Sequence, residues 1–134
     1  MDLSSVTVIG VIAFACFKFA GYLLAFRFLL RIHPAVQASA WLMAVTRTVL
    51  GVLVGGAVYF GWNAPTRQAI PYYLLLVLLR IFIWGAVIHF FIRGDDMPFR
   101  KKLLYSFDGA VLSSLMDIPA AVFAFLVPGG VLFC

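Results

Sequence analysis

Residues 71–92 read PYYLLLVLLRIFIWGAVIHFFI, an apolar run in which Arg80 and His89 are the only basic residues. At 1.5 Å rise per residue a helix of this length reaches about 33 Å, enough to cross the roughly 30 Å hydrocarbon core of a bilayer. Pro71 suits a first helical turn, where the missing N–H costs little. The stretch therefore predicts a transmembrane helix with a charged side chain near its middle.

The flanking sequence repeats the pattern. Apolar runs at about 6–30, 36–62 and 103–127 have similar lengths, and turn-rich pieces separate them: RIHPA after Arg27, GWNAPTRQ around Pro65, RGDDMPFRKK after Ile92, and Pro128 with Gly129 and Gly130 at the end. The 134 residues are 65% hydrophobic and 11% charged. A soluble chain is nearer half apolar and a quarter charged, so the expected fold is an all-α integral membrane protein in one domain, a four-transmembrane-helix bundle. MDLSSVTVIG has no basic n-region, and its apolar stretch is longer than a signal's, so the first run is expected to stay as a helix.

Charge distribution orients the bundle. Arg27, Arg31, Arg93, Arg100, Lys101 and Lys102 flank the first and third loops; Arg67 alone marks the second, and the tails have no Lys or Arg. The positive-inside rule puts the first and third loops in the cytoplasm and both termini on the non-cytoplasmic side, in a multi-pass protein of the bacterial inner membrane. Trp62, Tyr72 and Tyr73 then fall at the outer interface, Trp41 and Tyr105 at the inner one. Orientation accounts for most of the net charge of +5, which excludes nucleic acid as a partner and leaves membrane lipids, whose anionic headgroups suit the basic loops.

Four ionisable residues lie near the span centres: Lys18, Arg47, Arg80 and Asp117. Each costs about 2.5–3.5 kcal/mol at such a depth, so they are expected to face the interior and pair. Residues three, four and seven apart share a helix face. The face of Lys18 carries Ala15, Gly21, Tyr22 and Ala25; that of Arg47 carries Ala40, Ala44, Gly51 and Gly55, a GxxxG spacing; that of Asp117 carries Ser113, Ser114 and several alanines. Small residues let membrane helices approach closely. Arg80 differs, with Trp84 one turn away as a stacking partner. Pro119 should kink its helix beside Asp117 and strand the carbonyl of Leu115, with Ser113 and Ser114 as replacement partners.

With three cations against one deep carboxylate, the expected ligand of Lys18, Arg47, Arg80, Asp117, Ser113, Ser114 and Tyr22 is an anionic or amphiphilic small molecule bearing phosphate or carboxylate. The leading expectation is anion binding for transport, in a transporter or channel that works as a homo-oligomer, because four helices enclose little volume. One alternative is an enzyme acting on a lipid-linked substrate, with Asp117 or His89 as acid or base. Another is a non-catalytic subunit or immunity-type partner of a membrane complex.

No cofactor or metal is expected. His33 precedes Pro34 in a loop and leaves His89 without a second intramembrane histidine for haem, Asp95 and Asp96 read as salt-bridged loop carboxylates, and Cys16 with Cys134 gives no CxxC. HExxH, GxSxG and P-loop patterns are absent, and so is every glutamate, which removes the intramembrane Glu on which small multidrug transporters depend.

Overall fold

The computed structural model describes the backbone of residues 3–61, 69–93 and 97–126, and the side chains of 10, 12–55, 57–58, 74–93 and 97–119. Four α-helices make up the fold: α1 (Leu3–Ile32), α2 (Ala40–Gly61), α3 (Ala69–Phe91) and α4 (Phe99–Leu126). Each packs on the next and α4 returns to α1, closing a four-helix bundle whose loosest seam is between α1 and α4.

Two of the helices are long and apolar enough to cross a membrane, α1 over Ile12–Ile32 and α3 over Leu74–Phe91. Within α2 the apolar stretch over the described residues is the shorter Ala40–Gly55. Charge interrupts α4, through Arg100, Lys101, Lys102, Asp108 and Asp117.

Local chemistry moves two boundaries from those expected. The chain leaves α1 through a turn in which Val36 N donates to His33 O (3.0 Å), and Val36 is buried. Ser39 caps α2, its Oγ accepting from Leu42 N (3.4 Å), so that helix starts at Ala40 and not at 36. Pro98 precedes α4, and its carbonyl accepts from Lys101 N (2.9 Å) and Lys102 N (3.2 Å).

Arg100, Lys101 and Lys102 are therefore the first turn of a helix and not loop residues. Lys102 is buried, and its Nζ donates to Ile92 O just beyond the end of α3 (2.8 Å), where an ammonium meets the negative end of a helix dipole. Asp95, Asp96 and the calls on Trp62, Pro65, Arg67, Tyr72, Tyr73 and Pro128–Gly130 lie outside the described residues or side chains.

Burial in this bundle reverses the soluble pattern. Leu24, Phe28, Leu53, Leu78, Phe82 (74% exposed) and Phe90 point outward, while Arg47, Lys102, Ser106 and Ser113 are buried. The apolar core beside them runs through Tyr22, Phe26, Met43, Trp84, Ile88 and Met116. So many large apolar side chains exposed around the bundle fit an apolar surrounding or partner better than water, since soluble monomers rarely expose extended apolar patches.

Candidate functional site

Asp117, on α4, forms ion pairs with Lys18 of α1 through Oδ1 and with Arg80 of α3 through Oδ2. The Oδ1 contact is an ion pair outside hydrogen-bond geometry. The side chains involved retain 15–20% of their surface, so this triad ties three helices together in a poorly hydrated centre. Arg80 Nη1 also donates to Ser114 Oγ (2.9 Å), and Ser114 Oγ donates to Ala110 O one turn back (3.0 Å). Ser114 is thereby fixed as an acceptor for the guanidinium. This departs from the expectation that it would serve the carbonyl stranded by Pro119; α4 runs helical through Pro119.

Arg47 of α2 stands apart from the triad. It is 2% exposed and makes no ion pair among the described residues. Nη2 donates to Ser113 Oγ at 3.5 Å, a long bond, and Ser113 Oγ is also 2.9 Å from Tyr22 Oη. The guanidinium lies over two rings, with Cζ 4.9 Å from the centroid of Tyr22 and 5.5 Å from that of Trp84. Such contacts contribute about 0.5–2 kcal/mol each, less than an ionic partner at this burial. Arg47 Nε and Trp84 Nε1 have no acceptor among the described residues.

Trp84 thus stacks on Arg47 and not on Arg80, contrary to the spacing along α3. Glycine explains where the indole fits: a Cβ at Gly109 on α4 would come within 2.7 Å of Trp84 Cε2. Tyr22 meets the same indole edge-on (centroids 5.6 Å apart, 87°) and Phe26 packs on it at 4.8 Å.

The GxxxG of α2 also works differently from the expectation of close helix packing. A Cβ at Gly51 would lie 2.8 Å from Arg47 Nη1, so Gly51 makes room for the cation of its own helix, and Gly55 has open space around it. Close approach occurs instead at Gly109 and at Gly21, where a Cβ would lie 2.7 Å from Met116 Sδ.

All seven residues singled out from the sequence therefore converge on the bundle centre, in two linked parts. Lys18, Asp117, Arg80 and Ser114 form one; Tyr22, Ser113 and Arg47 form the other, and adjacent positions on α4 join them. Trp84 and Gly109 also belong to this centre; spacing along α3 gave Trp84 to Arg80, and Gly109 was not singled out. The signal for Gly109 is a glycine in α4 that matches Trp84, the one buried aromatic among the described side chains of α3. His89 is exposed near the end of α3, away from these groups. Among the described residues no group of His, Cys or Asp side chains could hold a metal ion. The chain matches no protein-family model, and no similar curated protein or solved structure was found.

Proposed function

We propose that this chain is a small four-span protein of the bacterial inner membrane, with both termini non-cytoplasmic. It binds an anionic or amphiphilic ligand bearing phosphate or carboxylate at Lys18, Arg47, Arg80 and Asp117 and moves it as a transporter or channel. The outward apolar surface and the two apolar helices support insertion of the whole bundle, since α2 and α4 cannot leave α1 and α3 without exposing Arg47 and Asp117.

One observation carries the ligand reading. Asp117 is already shared by two cations, so among the described residues Arg47 is left as a buried guanidinium with aromatic and hydroxyl neighbours but no carboxylate, and with no acceptor for Nε. A guanidinium presents a planar fork of donors suited to carboxylate and phosphate, and an anion arriving there replaces hydration that the bundle has removed. Ser113 and Tyr22 supply adjacent hydroxyls. A homo-oligomer would give four short helices the enclosed volume a pathway requires.

Proteoliposomes loaded through labelled inorganic phosphate and, in parallel, labelled succinate test this. Wild-type protein should take up at least one of them, and Arg47→Ala and Arg80→Ala should fall to the protein-free rate while keeping their helical circular dichroism. Uptake that survives both substitutions, or none with folded wild-type protein, sinks the reading.

A second reading rests on the Lys18–Asp117–Arg80 triad, which joins α1, α3 and α4 without any ligand. In that case the chain is a non-catalytic membrane subunit whose polar centre specifies helix pairing, and it should be unstable when purified without its partner.

A further inference from the structure

The loose seam between α1 and α4 opens into a groove of about 620 Å³, within the range of roughly 300–1,000 Å³ typical of small-molecule sites. Trp84 belongs to both the groove and the polar centre: its indole lines the groove and also lies over Arg47. The two compartments have opposite character. Arg47 leaves the centre short of negative charge, whereas the groove is lined by aliphatic side chains with the rings of Phe17, Phe28 and Tyr105 among them, and its one charged lining residue is a carboxylate, Asp108.

Asp108 is exposed on α4 and makes no ion pair among the described residues, although Arg27 and Arg31 stand exposed on the facing helix. Gly109 and Gly21 give the groove its depth, since a Cβ at either would press on Trp84 or Met116 in its wall.

An apolar groove with several rings in its wall and one carboxylate that makes no ion pair among the described residues complements one kind of occupant. Ring faces carry negative quadrupole density and attract organic cations, and an exposed carboxylate at the edge of the groove adds a charge that attracts a cation and rejects anions. A neutral acyl chain would gain nothing from Asp108. We infer that the α1–α4 groove binds a lipophilic aromatic cation, its rings against the accessible faces of Phe17, Phe28 and Tyr105 and its charge held by Asp108. This site is separate from the anion centre on the other side of Trp84 and does not depend on it.

Equilibrium dialysis of labelled tetraphenylphosphonium against the purified full chain in a neutral detergent tests the assignment, with triphenylphosphine oxide as an uncharged comparator. Saturable binding of the cation is expected, with affinity at least about tenfold above the comparator, and Asp108→Asn should weaken it about tenfold, the scale of losing one charged partner. Ala20→Trp, which fills the groove from its exposed wall, should remove binding with helical content unchanged. Leu78→Trp, on the outer face of α3, should leave it intact. The inference is overturned if Asp108→Asn binds within twofold of wild type or if the comparator binds equally well. It is overturned as well if a retained phospholipid, or a second copy cross-linked through Ala20→Cys, occupies the groove and excludes the cation.

Discussion

Replacing Asp117 by asparagine keeps the shape of the side chain and removes the one carboxylate that, among the described residues, pairs with Lys18 and Arg80. Both cations retain less than a fifth of their side-chain exposure, so neither is solvated enough to stand alone. Removing one partner of a buried ion pair costs about 3–5 kcal/mol, because the remaining charge is left uncompensated. Two cations depend on Asp117, but Arg80 keeps its bond to Ser114 (2.9 Å). The expected cost of Asp117→Asn is therefore about 3 kcal/mol, near the lower bound.

Reversible unfolding in bicelles, followed by steric trapping or by denaturant titration, measures this. A triple variant with Lys18→Met, Arg80→Met and Asp117→Leu discriminates between explanations. If the destabilisation comes from stranded charge, removing all three charges restores most of the loss, because apolar replacements of similar volume are often neutral or stabilising. A cost below about 1 kcal/mol for Asp117→Asn would show that the triad is as well hydrated as a surface pair and would refute the reasoning. A triple variant no better than Asp117→Asn would refute it equally.

Gly109→Ala should destabilise by about 1–3 kcal/mol, since the new methyl overlaps a rigid indole, whereas Gly55→Ala, into open space, should be neutral or slightly stabilising; the same unfolding titration compares them. Tyr22→Phe and Ser113→Ala should each cost about 1 kcal/mol, and the double variant less than their sum because they share one hydrogen bond (2.9 Å), a coupling that a double-mutant cycle reads directly. Lys102→Met should cost about 1.5–3 kcal/mol and speed hydrogen exchange at the α3 end, because the charged Nζ no longer bonds Ile92 O.

The helices and the inward residues follow from local rules. Apolar runs of membrane length, Pro34 and Pro98 at the breaks, and one ionisable residue at the middle of each run depend on neighbours in sequence, so Lys18, Arg47, Arg80 and Asp117 could be assigned to a common interior from periodicity alone. Small residues beside three of them marked their faces, although what fills the space differs: Gly51 admits Arg47, and Gly109, away from those faces, admits Trp84.

Which charge meets which was decided only by the packed bundle. One carboxylate and three cations allow several pairings of equal merit in sequence, and the choice depends on how far each helix is rotated about its axis and which rotamers the neighbours leave open. The seating of Trp84 on Gly109 brings the indole to Arg47 and away from Arg80, while Lys18 and Arg80 reach Asp117 from the two helices that flank α4. Lys102 shows the same division. Its charge reads in sequence as a loop cation facing headgroups, yet the start of α4 at Phe99 sets it on the inward side, where the carbonyl of Ile92 receives it. Sequence thus settled that this chain is helical and carries Lys18, Arg47, Arg80 and Asp117 inward; the azimuths of the helices settled that, among the described residues, Arg47 is the one of the three deep cations without a carboxylate.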